Sequence, residues 1–144
     1  MIKKNVSKMA LFITFVVILL FTGCKNNNSG ENPVNQNAID VSIIQLISSP
    51  KDYKGKTVRV IGIGNLEFEG NAVYLNREDW NNSISKNGLW IELGSSATSY
   101  DEAKNWNGKY VIIEGIYKPE KKGHFGMWSG AIIDITRYEL WEKD

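Results

Sequence analysis

Two glutamates in the segment NLEFEGN (65–71) form the first pattern in this sequence that could do chemistry. Glu67 and Glu69 alternate around Phe68, so both carboxylates can point to one side of an extended loop. Paired carboxylates bind hard cations and accept hydrogen bonds from hydroxyl groups. The alternative interpretation is a solvated hairpin in which Gly70-Asn71 supplies the positive φ angles of the turn.

The only histidine, His124, extends this pattern if it lies near Glu67 or Glu69, because imidazole and carboxylate together form a metal-binding or acid–base site. A lone histidine excludes the usual multi-histidine zinc sites. A lone cysteine excludes a disulfide within the chain and any CxxC site. No nucleophile and base have a spacing that predicts a catalytic pair, so we expect a protein that is not an enzyme and has no cofactor.

The segment KGHFGMWSG (122–130) carries three glycines and is unusually apolar for a loop. It contains His124, Phe125 and Trp128, and it connects the last two predicted strands. One interpretation is a loop that binds a ligand or a partner protein. The other is that Phe125 and Trp128 cap the open end of a barrel, with the glycines permitting the turn.

Two further aromatic residues, Tyr74 and Trp90, lie on predicted neighbouring strands. Leu89, Ile91 and Leu93 share one side of their strand, which leaves Trp90 on the other with Glu92. If the aliphatic side is core, Tyr74 and Trp90 present their rings on the outer face, where such rings stack bases or sugar faces. The alternative is a cross-strand aromatic pair that only stabilises the sheet.

These candidate residues are positioned by two predicted helices and five predicted strands. Capping boxes at Ser42/Gln45 and Ser99/Glu102 open the two short helices. Alternating β-branched runs predict strands at 57–63, 71–75, 89–93, 109–117 and 130–141. The order predicts a mainly β fold, a five-stranded antiparallel barrel with one helix before the first strand and one between the third and fourth. That is the OB-fold arrangement, and its rival is another small β-barrel or an open meander.

The segments DYKGKTVRVIG and NWNGKYVIIEG are similar to each other. The first runs into the first predicted strand, and the second runs into the fourth. Both place a Gly-Lys turn before a β-branched run and a second glycine late in the run. We interpret this as one opening turn used twice, with the late glycine allowing a barrel strand to bend.

The N-terminal segment resembles a bacterial lipoprotein signal. Lys3, Lys4 and Lys8 precede an apolar run, Met9 to Phe21, that is too short to span a bilayer. It ends at Thr22-Gly23-Cys24, and in that family the cysteine is lipidated and becomes the first mature residue. The resemblance implies a signal peptide at 1–23 and lipidation of Cys24. The alternative is an uncleaved anchor with an incidental cysteine.

The asparagine-rich segment after Cys24 has almost no apolar residues and predicts a flexible tether to residue 40. The stretch from about 41 to 141 then resembles the small OB-fold domains of bacterial lipoproteins, which are loosely similar to anticodon-binding OB folds. That resemblance rests on Pro50, Tyr53-Lys54-Gly55-Lys56, Val58 to Gly62, Leu66 to Asn71, Gly123-His124 and Trp128-Ser129-Gly130. It implies a fold for residues 41–144 and no particular activity.

The net charge and the expected extracytoplasmic location of the mature chain disfavour nucleic-acid binding. Three of the 17 basic residues and none of the 16 acidic ones precede Cys24, which leaves 14 against 16, a net charge of −2. A mildly acidic domain outside the cytoplasm is a poor partner for nucleic acid. We expect a lipid-anchored, extracytoplasmic binding or assembly module at the bacterial envelope, held to the membrane by its lipid, with an envelope protein or a glycan as partner. Its expected ligand-binding residues are Glu67, Phe68, Glu69, Tyr74, Trp90, His124, Phe125 and Trp128.

Two alternatives belong to other classes of function. The first is an OB domain that binds single-stranded nucleic acid. The second is a metal-dependent enzyme that uses His124 with Glu67 or Glu69.

Overall fold

The computed structural model describes residues 37–94 and 98–142. Six strands lie in these residues: β1 Ile39–Asp40, β2 Thr57–Asn65, β3 Ala72–Tyr74, β4 Gly88–Ile91, β5 Tyr110–Lys118 and β6 Ala131–Leu140. Four short helices accompany them: α1 Ile43–Ser48, α2 Pro50–Tyr53, α3 Arg77–Asn81 and α4 Tyr100–Lys104. Two 3₁₀ turns, Ser85–Asn87 and His124–Gly126, complete the regular structure of this part of the chain.

Five of the strands close into a barrel. They follow one another in the order β2-β3-β4-β6-β5, and pairing of β5 with β2 closes the ring. All five were predicted from the sequence, and their observed bounds differ from the predicted ones by one or two residues. The alternating β-branched runs therefore located the strands correctly.

The inside of the barrel holds the hydrophobic core. Alternate residues of β2, such as Val58 and Val60, point inward with Leu89 and Ile91 of β4 and Val111 and Ile113 of β5. Ile43 and Leu46 of α1 join the same cluster. The predicted capping box starts α1, because the backbone N–H of Gln45 donates to Ser42 Oγ and that of Ser42 to Gln45 Oε1.

The repeated opening turn has the same backbone conformation in both copies. Gly55 and Gly108 have φ angles of 75° and 73°, a left-handed conformation that favours glycine. The strands that follow, β2 and β5, pair antiparallel with each other from Thr57↔Ile116 to Ile63↔Tyr110. The internal similarity of the sequence thus corresponds to two strands that share one long seam of the barrel.

The prediction of a purely antiparallel barrel with two helices is wrong in its detail. β4 and β6 are parallel, with Trp90 opposite Ala131, and β1 also runs parallel to β2. A closed ring with an odd number of strands cannot alternate direction throughout, so a five-stranded barrel contains at least one parallel pair. Helices α2 and α3 were not predicted. Pro50 begins a second helix, as its fixed φ angle permits at a first helical position, where an ending was expected.

Strands β1, β2, β5 and β6 carry a run of cross-strand ion pairs on their outer side, which we call the ionic ladder: Asp40, Arg59, Glu114, Arg137 and Glu139. Glu114 is only 1% exposed. Its Oε1 accepts from Arg59 Nε at 2.7 Å and from Arg137 Nη1 at 3.2 Å. The hydrogen bond to Glu114 raises the pKa of Arg59 above its ordinary value. Every charge in the ladder has a partner of the opposite sign.

Cys24, the predicted signal peptide and the predicted tether up to residue 36 lie outside the described residues. Ile39–Asp40, at the predicted end of the tether, forms β1 beside β2. Within the described ranges, no helix is long and apolar enough to cross a membrane.

Candidate ligand-binding groove

The outer face of β2, β3 and β4 carries a cluster of rings that we call the aromatic pad: Tyr74, Trp90 and Trp128. Strand register brings Ile63 opposite Tyr74 and Ala72 opposite Trp90 on this face. Trp128, from the loop between β5 and β6, lies over them and is 3% exposed. Its ring is 5.2 Å from that of Tyr74, edge to face, and 6.3 Å from that of Trp90. The pad is a second, smaller core outside the barrel.

Gly123 permits this arrangement. A Cβ at that position would lie 2.5 Å from Cδ1 of Trp128 and 2.6 Å from the ring of Trp90, and the backbone φ angle is 61°. A side chain there would separate the two indoles or distort the loop. The glycine therefore lets the loop backbone pass directly between two tryptophans.

The loop between β2 and β3, residues 66–71, is held rigidly by asparagine side chains. Asn107 accepts from the backbone N–H of Leu66 at 2.8 Å and donates to its carbonyl at 3.1 Å. Asn65 donates to the Gly70 carbonyl at 2.9 Å. The loop also closes on itself, because the N–H of Gly70 donates to the carbonyl of Glu67. A loop fixed in this way has little conformational entropy to lose when it binds a ligand.

The loop between β5 and β6, residues 119–130, is fastened to the segment before β4. Ser129 Oγ donates to the Lys86 carbonyl at 2.7 Å, and Ser85 Oγ donates to the Met127 carbonyl at 3.1 Å. Lys86 Nζ donates to the carbonyl of Gly126 at 3.2 Å. These bonds and the burial of Trp128 fix the loop over the pad.

A groove of about 570 Å³ lies between the two loops, and we call it the loop groove. The 66–71 loop contributes Glu69 and Asn71, β4 contributes Trp90, and Glu92 directly follows β4. The 119–130 loop contributes residues 121–124. This volume lies in the range of small-molecule sites, about 300–1,000 Å³.

A carboxylate–ammonium pair and a carboxylate–imidazole contact line the loop groove. Lys121 Nζ lies 3.0 Å from Glu92 Oε2 and 3.2 Å from Glu92 Oε1. His124 Nε2 lies 3.3 Å from Glu69 Oε2, which links the two loops. That contact is an ion-pair distance without the alignment of a hydrogen bond, so His124 Nε2 has no hydrogen-bond partner among the described residues. The Glu92–Lys121 pair places a hydrogen-bond acceptor beside a donor at the edge of the groove.

Three of the residues predicted for the site meet in this groove: Glu69, Trp90 and His124. Glu67 does not join them. It lines a separate pocket of about 280 Å³ with Tyr74 and Trp80, so the two glutamates of the segment face different pockets. The turn explains the divergence, because the positive φ angle, 60°, falls on Glu69 and not on Gly70. The two carboxylates therefore do not line one pocket, and the alternative interpretation of a solvated hairpin agrees with the antiparallel pairing of β2 and β3, except that Gly70-Asn71 does not supply the positive φ angle.

The remaining predicted residues separate into buried and exposed rings. Tyr74 is 6% exposed and lies beneath Trp128. The interpretation in which its ring is available to stack a ligand is therefore wrong. Burial, and then the charge of Glu67, raises the pKa of Tyr74 above its ordinary value. Phe68 is 92% exposed and Phe125 is 87% exposed. Phe125 and Trp128 therefore do not act together as a cap, since Trp128 packs on the side of the barrel and Phe125 points to solvent.

Five residues that line the groove were not among the predicted site residues: Asn71, Glu92, Lys121, Lys122 and Gly123. The strand alternation that placed Glu92 beside Trp90 already carried a signal for one of them. Lys122 and Gly123 belong to the 122–130 segment that the sequence singled out, whereas nothing in the sequence marked Lys121.

Of the residues in the metal hypothesis, the structure brings His124 into contact with Glu69 and not with Glu67. Within residues 37–94 and 98–142, no group of three or more His, Cys, Asp or Glu side chains could hold a metal ion. Comparison with models of known protein families, with curated proteins and with solved structures finds no match for this chain. The account of its function therefore depends on the groove itself.

Proposed function

We propose that this protein is a lipid-anchored, extracytoplasmic binding module of the bacterial envelope, and that the loop groove is its ligand site. The observation that carries the proposal is the contact between His124 and Glu69, which joins two rigid loops across a concave surface floored by Trp90. A preformed groove with an aromatic floor and a few polar groups has the properties of a ligand site.

We also propose that the barrel is an OB fold. Three consecutive strands, β2 to β4, are followed by β5, which returns to pair with β2, and this is a Greek-key connection. In OB folds the loops after the first and fourth strands flank the ligand face. Here these are the 66–71 and 119–130 loops, the two that border the groove.

The envelope location rests on the sequence. Cys24 is the only cysteine and follows the apolar run where a lipoprotein signal would place it. Expression of the full chain in a bacterium tests this directly. The parent should partition into the detergent phase, and Cys24→Ala should stay in the aqueous phase or retain its signal peptide. Equal partitioning of both chains into the aqueous phase would refute the lipid anchor.

The ligand site is tested by photo-crosslinking in living cells. A photoreactive phenylalanine analogue replaces Phe125 or Phe68 in the full chain, since both side chains are almost fully exposed beside the groove. The same analogue at Tyr100, the 42% exposed first residue of α4, is the matched control. We expect a discrete adduct from the two groove positions and none from Tyr100. Equal adducts at all three positions, or none at any, would contradict the proposed site.

A further inference from the structure

The floor of the loop groove is a single indole ring. Trp90 lies on the outer face of β4, with Ala72 opposite it on β3 and Ala131 opposite it on β6. These two small side chains leave room for the indole to lie along the sheet. Trp128 and Gly123 pack against one part of the ring, and the remainder lines the groove. A flat apolar floor suits a ligand that has one flat apolar face.

The groove edges require a ligand that both donates and accepts hydrogen bonds. The Glu92–Lys121 pair presents a carboxylate next to an ammonium donor, and Glu69 presents a second carboxylate beside the imidazole of His124. A hydroxyl group has one donor and two acceptor sites, so neighbouring hydroxyls match such a pair. The amide of Asn71, which can donate and accept, adds a third group of this kind to the groove.

The charges of the groove balance each other. Its side chains include two carboxylates, Glu69 and Glu92, and two ammonium groups, Lys121 and Lys122. Phosphate contacts supply most of the affinity for nucleic acid. A nucleic acid backbone in this groove would be repelled by the two carboxylates as well as attracted by the two lysines. A neutral ligand meets no such repulsion. A second folded protein would need a broader contact surface than one groove, about 800 Å² on each partner.

We propose that the loop groove binds a neutral oligosaccharide, with one sugar ring stacked on Trp90 and its hydroxyls held by the Glu92–Lys121 and Glu69–His124 pairs. A pyranose has flat faces of C–H bonds and a rim of hydroxyls, which matches an apolar floor with polar edges. This inference rests on the proposed function, because it names the chemical class of ligand for the same groove.

The test measures binding of the full chain, in detergent, to a glycan array of linear oligosaccharides and to protease-treated envelope polysaccharide. The parent should bind carbohydrate. Trp90→Ala should weaken binding about tenfold or more, as loss of a stacking ring does at other aromatic platforms. Trp90→Phe keeps a ring and should retain part of the affinity, which separates stacking from any loss of folding.

Glu92→Gln tests the groove edge, with Glu120→Gln as its matched control. Both glutamates are about half exposed and pair with a lysine, but the Glu120–Lys54 pair lies outside the groove. We expect Glu92→Gln to weaken carbohydrate binding about tenfold, the usual effect of losing a charge-assisted hydrogen bond. Glu120→Gln should leave it unchanged.

Four results would overturn the inference, and they differ in which part of the proposal they leave intact. Carbohydrate binding that Trp90→Ala does not change would show that the sugar binds elsewhere. No carbohydrate binding, together with a protease-sensitive adduct from Phe125, would refute the ligand class and keep the groove as a site. No carbohydrate binding and no adduct would refute both the inference and the proposed function. Preferential binding of labelled single-stranded oligonucleotide would replace the sugar with nucleic acid.

Discussion

The ladder face and the groove face of the barrel differ in whether their buried polar groups have hydrogen-bond partners. On the ladder face, Glu114 is buried but accepts from two arginines, and each arginine pairs again with another carboxylate. On the groove face, Trp128 Nε1 and His124 Nε2 are buried, and neither donates or accepts a hydrogen bond among the residues described. A buried polar group without a partner costs about 1–3 kcal/mol. Among the described residues, the polar groups of the ladder face are therefore paired, whereas the groove face keeps two buried nitrogen atoms without a hydrogen bond.

Four non-glycine residues of the described chain have positive φ angles, and they include Asp134 in β6 and Ser83 before β4. Glu69 and Phe125, with φ angles of 60° and 52°, adopt left-handed conformations that are costly for residues with a side chain. Both belong to the loops that border the groove. Strain of this kind concentrates at functional sites, where the surrounding structure holds it. The pad and the loop hydrogen bonds supply that support here.

The largest expected effect comes from removing the ring that covers the pad. Trp128→Ala should lower the free energy of unfolding by about 4 kcal/mol, because it deletes a buried indole and leaves a cavity above Tyr74. It should also abolish ligand capture, since the 119–130 loop loses its anchor. Chemical denaturation and the crosslinking assay measure the two effects. A variant with parental stability would show that the pad is not a packed core.

Breaking the ladder should separate stability from binding. Glu114→Gln leaves Arg59 and Arg137 without their shared carboxylate and should cost about 3 kcal/mol, the lower end for a buried ion pair. The lower end applies because the two arginines are 17% and 22% exposed and can rehydrate. Ligand capture at 25 °C should be unchanged while the variant is folded. Loss of capture at full stability would show that the ladder face belongs to the site.

Two buried tyrosines inside the barrel differ in whether their hydroxyl groups have a hydrogen-bond partner. The hydroxyl of Tyr117 donates to the Leu46 carbonyl at 2.8 Å, whereas that of Tyr138 has no partner among the described residues. Tyr117→Phe should lower the free energy of unfolding by about 1 kcal/mol, and Tyr138→Phe should leave it equal or raise it. The reverse order would contradict this assignment.

The same tyrosines give the protein a predictable response to alkali. Burial raises the pKa of Tyr138 and of Tyr117 above the ordinary value of 10.0. As the pH rises past 10, the unfolded chain therefore loses tyrosine protons before the folded chain does, and stability falls from its neutral-pH level. Denaturation curves of Tyr138→Phe should show a smaller loss between pH 9 and pH 11 than those of the parent.

The smallest expected effect concerns the strained backbone of the 119–130 loop. Phe125→Gly should raise the free energy of unfolding by about 0.5 kcal/mol, because glycine adopts a φ angle of 52° without strain and the exposed ring contributes little packing. Carbohydrate binding should weaken at the same time. Improved stability with unchanged binding would show that Phe125 has no part in the site.

The sequence predicted the strands and part of the groove for identifiable reasons. Regular alternation of β-branched residues fixed the strands, and the Ser42/Gln45 capping box fixed the start of α1. Helix α3 was missed although Asn76 caps it through the N–H of Asp79 at 2.8 Å, because a five-residue helix has too short an apolar pattern to recognise. The parallel pairing of β4 with β6 was missed because it results from closure of the five-stranded ring, and no local sequence pattern indicates it.

The site was harder to predict because exposure depends on distant chain segments. Tyr74 and Trp90 were correctly assigned to the outer side of their strands, but no strand pattern reveals that Trp128 folds over Tyr74 from a loop more than fifty residues away. The left-handed conformation of Glu69 directs its side chain to a different pocket from that of Glu67. Alternation assigns a residue to a face of a strand, and only the packed loops decide whether that face meets solvent, a ligand or another side chain.

The central claim is that the ligand binds in the loop groove and not on the ladder face. Nuclear magnetic resonance of the full chain in detergent micelles, titrated with protease-treated envelope polysaccharide, tests it most directly. The account predicts shifts of the Trp90 indole N–H and the Asn71 side-chain amide, with the Nε–H of Arg59 unmoved. Shifts at Arg59 with a stationary Trp90, or no shifts at either, would contradict it.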